Sequence, residues 1–173
     1  LQEKTQQLNF NFVNFNFCHL TAVDCSSLVN VINVPQISHL NLSNNNIDSL
    51  GCFEICKLLK CRESQLSWLN LGNNQLTEKA AKYLAEAINN NNCQLRTLNL
   101  TENNISHIGA KHLADAINNN NSQLRALNLR GNNISDIGAQ HLAEAINNNT
   151  CQLHTLNLAR NNISHIGAQH LAK

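Results

Sequence analysis

The chain has 173 residues, of which 42% are hydrophobic and 13% are charged, and its formal net charge is +1. This near-neutral balance gives no general attraction to nucleic acids or to acidic membranes. No apolar run approaches the roughly 20 residues that a membrane-spanning helix needs. The amino terminus, LQEKTQQLNF, lacks the cationic start and apolar core of a secretory signal peptide, so we expect a cytoplasmic protein.

An N-terminal extension or cap is predicted for residues 1–9, which are polar and Gln-rich. From Phe10 onward the chain repeats the eleven-residue pattern LxxLxLxxN/CxL. The copies begin near residues 10, 37, 66, 95, 124 and 153, so the first repeat has 27 residues and the next four have 29. The sixth copy is incomplete at Lys173. This spacing predicts a single repeat domain over residues 10–173.

The first half of each repeat is predicted to be a short strand. Leu98 and Leu100 are two residues apart and point to one face, while Asn99 points to the other. At the ninth position, where the chain turns away, an amide side chain can bond backbone groups of its own turn and of the neighbouring turn. We predict that the residues at this position form a structural ladder: Cys18, Asn45, Asn74, Asn103, Asn132 and Asn161.

The second half of each repeat is predicted to be a helix. It starts with a residue that is favoured at helix N-termini: Thr21, Asp48, Thr77, Ser106, Ser135 and Ser164. A small residue follows three positions later, as at Gly109, and we expect it to allow close packing of the helix on the strand. Ala110, Leu113, Ala114 and Ile117 have the spacing of one buried helix stripe.

Runs of Asn follow three of the helices, at 89–92, 118–121 and 147–149. Because Asn tolerates the left-handed conformation that ends many helices, we interpret these runs as ordered loops. The seven cysteines are an odd number, and Cys25, Cys52 and Cys56 fall on small core positions. This usage is typical of free buried thiols in a reducing compartment.

No single repeat can bury its apolar face alone, so neighbouring repeats must stack into one continuous core. Helices are wider than strands, so the stack must curve with its strands on the concave side. The motif LxxLxLxxNxIxxxGAxxLAxAI, with its period of 29, resembles the ribonuclease-inhibitor-like class of leucine-rich repeats over about residues 10–173. The resemblance implies an α/β right-handed solenoid, a curved horseshoe segment with a parallel sheet on the concave face and helices on the convex face.

The same resemblance implies a protein-binding function, and it is more specific for fold than for function. The Asn-rich, near-identical repeats are most similar to leucine-rich-repeat effectors that intracellular bacteria inject by type IV secretion, which would place the protein in the host cytosol. The chain departs from ribonuclease inhibitors in having fewer repeats, one repeat type and no closing cap. The alternatives are a regulator of an enzyme, GTPase activator-like or ribonuclease inhibitor-like, and a structural spacer beside another domain.

Two outward-facing columns are candidate contact surfaces. The third-position column is Phe12, His39, Trp68, Thr97, Ala126 and Thr155. Trp68, the only Trp, is either an exposed anchor for a partner or local cover for Phe12, His39 or Tyr83. The fifth-position column is Asn in every repeat, and it either binds a partner's backbone or is a solvated, mutually bonded surface.

Charged residues in the later repeats form a third candidate. The second, seventh and eighth positions carry Arg96, Arg125, Arg130, His154 and Arg160, with Glu102 as the one acid. We predict a basic stripe beside Trp68 that suits an acidic partner, against the alternative of an ordinary solvated charge run.

Metal and catalytic sites are not expected. His112, His141 and His170 recur every 29 residues, but neighbouring helices lie roughly 8–10 Å apart, too far for shared ligands. The sequence has no GxSxG motif and no P-loop, and a packed solenoid offers no deep pocket.

The sequence therefore predicts a non-enzymatic module, without cofactor or metal, that binds another protein through its concave face. We expect a monomer that binds neither nucleic acid nor membrane. The predicted contact residues are His39, Trp68, Arg96, Thr97, Glu102, Arg125, Arg130, His154 and Arg160.

Overall fold

The computed structural model describes residues 11–32 and 34–172. Strands and helices alternate strictly along this part of the chain. The strands are β1 (Phe12–Asn14), β2 (His39–Asn41), β3 (Trp68–Asn70), β4 (Thr97–Asn99), β5 (Ala126–Asn128) and β6 (Thr155–Asn157). The helices are α1 (Ala22–Val31), α2 (Ser49–Lys60), α3 (Glu78–Ile88), α4 (Ser106–Ile117), α5 (Ser135–Ile146) and α6 (His165–Leu171). A short 3-10 helix, Val34–Gln36, precedes β2. The predicted extension at residues 1–9 and the repeat start at Phe10 lie outside the described residues.

The six strands form one parallel sheet in the order β1 to β6. Equivalent positions of successive repeats are paired, as Leu98 of β4 is with Leu127 of β5. Each helix packs against the helices of the repeats next to it. The prediction of an α/β solenoid with about six repeats is confirmed. No helix of the described residues is long and apolar enough to cross a bilayer.

The core lies between the sheet and the helices. The paired strand positions Leu98 and Leu100 are fully buried, and so are Ala110 and Leu113 on the facing stripe of α4. In the sixth repeat the equivalent strand residues, Leu156 and Leu158, are half-buried, and the equivalent helix residues, Ala168 and Leu171, are exposed. Within the described residues the sixth repeat contacts a neighbouring repeat on one side, whereas the inner repeats are covered on both sides. A repeat therefore buries its apolar residues fully only when it has two neighbours.

Asn side chains at the ninth position join neighbouring repeats. The Asn103 side chain donates from Nδ2 to the carbonyls of Leu71 and Leu100, at 3.0 Å each. Its Oδ1 accepts from the backbone N–H of Leu76, at 3.0 Å. These bonds satisfy peptide groups that the strand and helix leave unpaired. Asn45, Asn74, Asn132 and Asn161 make equivalent bonds. Cys18 is exposed, and its thiol reaches only Asn16 O.

The expectation of a side-chain cap at all six helix starts is wrong for two helices. Ser106 and Ser135 are the first residues of α4 and α5, with φ of 62° and 61°, and no side chain caps either helix. For Ser106 the reason is a bond between repeats, because its N–H donates to Asn132 O, at 3.0 Å. This bond turns the serine out of the extended conformation that an N-cap requires.

The Asn runs are ordered loops, but the expected left-handed helix ends are not found. The C-cap residues Asn89, Asn118 and Asn147 have φ between −75° and −86°. In each loop a side chain then accepts a hydrogen bond across the turn, as Asn119 Oδ1 does from the Asn121 N–H at 2.9 Å. The Asn92 side chain also donates to Lys60 O of the previous repeat, at 3.0 Å. A second set of bonds therefore links the repeats at the C-terminal ends of the helices.

Gly109 shows why a small residue is required after the helix start. A Cβ at this position would lie 2.5 Å from Ile105 Cγ2 and 3.0 Å from Ala81 Cβ of the preceding helix. The neighbouring repeats can approach closely only because that atom is missing. The third repeat carries Ala80 at the equivalent position, fully buried, so the fit differs between repeats.

Candidate binding surface

Two parallel rows of side chains cover the face of the sheet that points away from the core, which we call the concave face. The strand-start row holds the first residue of each strand and the amide row holds the third, in register from β1 to β6. Alternation along each strand places both rows on the same side, because the residue between them points into the core. The sheet thus presents two lines of side chains that run from repeat to repeat.

Three rings at the start of the strand-start row form an aromatic cluster, Phe12, His39 and Trp68. The ring centroids are 5.9 Å apart for His39 and Trp68, and 6.4 Å apart for Phe12 and Trp68. Trp68 is half-buried by these contacts, whereas Phe12 remains 50% exposed. The ring of Tyr83 lies elsewhere, stacked edge-on against Phe53 between helices α2 and α3. Trp68 therefore packs on two of its three expected neighbours and still presents part of its ring to solvent.

A shallow depression of about 300 Å³ lies on the other side of Trp68. Its floor is the strand-start row at Thr97, Ala126 and Thr155, and its edge is the amide row at Asn99 and Asn128. Small side chains at these positions leave the space open beside the one large ring. Thr97, one of the predicted contact residues, thus lies next to Trp68 in the same depression.

The amide row is uniform in its hydrogen bonding. Each Asn accepts a bond at Oδ1 from the backbone N–H two residues later, as Asn99 does from Thr101 at 3.0 Å and Asn128 from Arg130 at 3.1 Å. The same bond is made by Asn14, Asn41, Asn70 and Asn157. Among the described residues, the side-chain nitrogens of this row donate to no protein acceptor. The side-chain oxygens of the row thus accept hydrogen bonds within the protein, and the side-chain nitrogens remain available as donors.

The predicted basic stripe is divided between the two ends of the strands. Arg96, Arg125 and His154 immediately precede their strands and are neighbours, since each N–H in turn donates to the backbone carbonyl of the one before. Arg125 Nη1 also donates to Gln123 O at 3.0 Å, and His154 Nδ1 lies 2.8 Å from Gln152 O. This first group lies at the edge where the strands begin.

The remaining charged residues lie at the opposite edge, after the strands. Arg130 Nη1 pairs with Glu102 Oε1 at 3.0 Å, and Arg160 follows in the next repeat. The structure therefore corrects the expected single stripe beside Trp68: three intervening strand residues separate the two groups, and the second group includes an ion pair. Glu102 and Arg160 also have positive φ, of 50° and 54°, which directs both side chains out of the turn. The signal in the sequence is the residue type at this position in other repeats, since Asn44, Asn73 and Gly131 also have positive φ and are of types that tolerate it.

The helical side carries an apolar row that sequence reasoning did not identify. Val23, Leu50, Ile108, Ile137 and Ile166 occupy equivalent positions in the first helical turn and are 48–76% exposed. They recur because the repeat recurs, and Lys79 interrupts them in the third repeat. This row is a second surface against which the concave face can be compared.

Neither metal nor disulfide chemistry emerges from the cysteines and histidines. Within residues 11–32 and 34–172 no cluster of His, Cys, Asp and Glu could hold a metal ion. All seven cysteines are free. Burial raises the pKa of the Cys25 thiol to about 12. A hydrogen bond to Cys56, together with burial, raises the pKa of Cys52.

A model of the leucine-rich-repeat family matches residues 37–56, 91–114, 120–143 and 151–172. The chain belongs to this family. The matched segments correspond to the second, fourth, fifth and sixth repeats, and the first and third repeats follow the same geometry in the sheet. Leucine-rich-repeat domains typically mediate protein–protein interaction.

Among solved structures, an internalin from Listeria monocytogenes, InlF, is similar to this chain. The two are 26% identical with a TM-score of 0.53, and the match covers 86% of this chain and 35% of the internalin. The chain thus spans about a third of the internalin's length. The comparison with curated proteins gives no match.

Proposed function

We propose that this protein binds another protein through its concave face and performs no reaction itself. The observation that carries the proposal is Trp68, a half-buried ring that packs on Phe12 and His39 on one side and adjoins an open depression lined by small and polar outward side chains on the other. Large aromatic residues in such surroundings dominate the energetics of many protein interfaces. The predicted contact residues His39, Trp68 and Thr97 lie together here.

The mechanism is the presentation of a rigid surface. Each strand is held to its neighbours by backbone pairing, and each following turn is held by the ninth-position Asn. Side chains fixed in this way lose little conformational entropy when a partner binds. The partner meets a preformed arrangement of groups.

Charge acts at the two edges of the face. Arg96, Arg125 and His154 at the strand starts suit an acidic patch on the partner, which would steer its approach. At the other edge Glu102 offsets Arg130 through their ion pair. We therefore assign orientation of an acidic partner mainly to the strand-start edge.

Our proposal extends to the setting of this interaction. The Asn-rich, near-identical repeats support a bacterial effector that acts on a host protein in the host cytosol after type IV secretion. The motif LxxLxLxxNxIxxxGAxxLAxAI and its period of 29 support membership of the ribonuclease-inhibitor-like class. On this proposal the protein acts as a monomer, without a cofactor, and does not bind nucleic acid or membrane.

The test is capture of a partner by the immobilised protein from a host-cell lysate, with quantification of each bound protein. Trp68→Ala and Arg125→Glu should each reduce capture of the same protein. The matched controls on the helical side are Ile137→Ala, which also removes an exposed apolar side chain, and Lys111→Glu, which also reverses a charge. The proposal fails if the helical-side variants lose the partner and the concave-face variants retain it.

The regulator alternative needs a separate assay, because a protein regulator of an enzyme would also bind through a surface. GTP hydrolysis by small GTPases and cleavage by secreted ribonucleases are measured with and without the protein. Under the proposal neither rate changes. A change that Trp68→Ala abolishes would assign the concave face to enzyme regulation.

A further inference from the structure

We propose that the concave face takes a polyproline II segment of its partner, laid across the strands along the amide row with a proline ring against Trp68. This inference rests on the proposed function and specifies the partner segment. The strand-start row and the amide row supply different parts of the recognition.

The amide row offers side-chain donors that have no acceptor within the described residues, whereas its acceptors are at least partly used. Each Oδ1 of the row already accepts a backbone N–H of its own turn, at 3.0–3.1 Å, while each side-chain nitrogen donates to no acceptor among the described residues. A proline-rich segment has the complementary character, because proline lacks a backbone N–H and keeps its carbonyl. Its carbonyls are also unpaired, since the polyproline II helix has no internal hydrogen bonds.

The spacings of the two structures agree. Neighbouring strands of a sheet are about 4.8 Å apart, so every second Asn recurs at about 9.6 Å. A polyproline II helix rises about 3.1 Å per residue with three residues per turn, so its carbonyls on one side recur at about 9.3 Å. In a β-strand the carbonyls on one side recur at about 6.7 Å, which matches neither one strand spacing nor two.

The charge of the two rows also favours this occupant. Neither row contains Asp, Glu, Lys or Arg. The amide hydrogens carry partial positive charge, which is complementary to the partial negative charge of carbonyl oxygens. Aromatic grooves are a recurrent means of binding proline-rich segments, and the aromatic cluster with the adjoining depression provides one here.

Trp68 is the only Trp in the chain, so its fluorescence reports on this site directly. The probe is a ten-residue oligoproline, capped at both ends, which is titrated into the full chain. A Gly/Ser peptide of equal length, also capped, is the comparison. We expect a saturable change with oligoproline and binding at least about tenfold weaker with Gly/Ser, because that flexible chain must be ordered on binding.

The decisive variant is Asn99→Asp. Aspartate keeps an oxygen that can accept from the Thr101 N–H and hydroxyl, so the turn after β4 is preserved, but it removes the side-chain donor. We expect affinity for oligoproline to fall about tenfold or more. Asn104→Asp is the matched control, because Asn104 is exposed off the two rows and also uses its Oδ1 as an acceptor. Circular dichroism verifies that both variants fold.

The outcomes separate this inference from the proposed function. Equal binding of the oligoproline and Gly/Ser peptides, no fluorescence change with either, or equal affinity in Asn99→Asp and wild type would overturn the inference. If partner capture still depends on Trp68 in that case, binding through the concave face stands. If capture is also independent of Trp68 and Arg125, both fail.

Discussion

Asparagine has three different structural roles in the third, fourth and fifth repeats, and its position decides which. At the ninth position, as in Asn103, the side chain both donates and accepts within the protein. At the fifth position, as in Asn99, the oxygen accepts from the following turn and the nitrogen donates to no acceptor among the described residues. After the helices, as in Asn119, it forms a local turn. The repeat template predicts the role of the ninth position. It leaves the role of the fifth position open, because hydrogen-bond partners at a solvated surface depend on side-chain orientation.

Substitutions at Asn103 and Asn99 should differ in how much they lower the free energy of unfolding. Asn103→Ala leaves the carbonyls of Leu71 and Leu100 and the N–H of Leu76 without their partner, so we expect the free energy of unfolding to fall by about 3 kcal/mol. Asn99→Ala removes side-chain bonds to Thr101 at a half-exposed site and should cost about 1 kcal/mol. Urea denaturation of both variants measures the difference. Equal losses of unfolding free energy in the two variants would contradict the assignment of different roles to the ninth and fifth positions.

The free thiols should differ sharply in reactivity. Cys18 is exposed, whereas Cys25 and Cys52 are fully buried with a raised pKa, to about 12 for Cys25. Because the thiolate is the nucleophile, we expect iodoacetamide at pH 8 to label Cys18 first and to leave the buried pair unmodified in the native protein. Peptide mass spectrometry locates the label. Labelling in urea is the control, since all the cysteines should then react, and early native labelling of Cys52 would show that this part of the core opens.

At the scale of elements, the sequence predicted where helices lie better than how they begin. The apolar spacing of Ala110, Leu113 and Ile117 determines which helix face is buried, and burial follows it. Some helix starts also depend on bonds to a neighbouring repeat, which the spacing of residues does not reveal. Ser106 is turned outward by such a bond, and α6 is capped from the previous repeat by Asp136.

The helices at the two ends should therefore be sensitive to acid. Hydrogen bonds from Thr21 lower the pKa of Asp24 at α1, and bonds from Ser164 lower that of Asp136 at α6. A lowered pKa in the folded state means that the stabilisation is complete above the ordinary value of 3.8 and is lost as the pH falls below it through the lowered value. Hydrogen exchange followed from pH 5 to about pH 2 should show that α1 and α6 lose protection before α3 and α4.

Asp136→Asn provides the control for this acid effect. The amide cannot titrate, and its oxygen can still accept from Ser164. In this variant the pH dependence of α6 protection should flatten while that of α1 remains. Unchanged dependence in α6 would mean that another group controls its acid response.

At the scale of the whole molecule, the period of the sequence predicts which residues are neighbours in the sheet. The direction of the strands explains why the predicted single basic stripe is divided between two edges. Equal spacing places equivalent residues side by side, as in the pairing of Trp68 with Thr97. The second and seventh positions lie in one short stretch of sequence, yet an extended strand carries Arg125 and Arg130 to opposite edges. The contacts of Trp68 with His39 and Phe12 depend on side-chain rotation, which a repeat template does not contain.

Equivalence of the repeats makes one further test possible, the deletion of residues 95–123, one complete period of 29. Leu124 would then follow Gln94, and Gly138 would meet Ala81 as Gly109 does now. Asn132 would accept from the Leu76 N–H in place of Asn103. Because a solenoid is stabilised by interfaces between neighbours, we expect a folded protein with one fewer interface. The slope of its unfolding free energy against urea concentration should fall by about one sixth, because this slope is proportional to the surface that unfolding exposes.

A deletion of 22 residues, 95–116, is the control for this deletion. It removes β4 and all but the last residue of α4. Residues 117–123 would remain between Gln94 and Leu124 without a strand of their own. They would shift the following apolar residues away from the positions that match the preceding repeat. We expect loss of the cooperative urea transition and of the far-ultraviolet helical signal. A cooperative transition in this shorter deletion, equal to that of the 29-residue deletion, would show that the repeats are not stacked in a fixed register, because only a whole period restores every contact between neighbours.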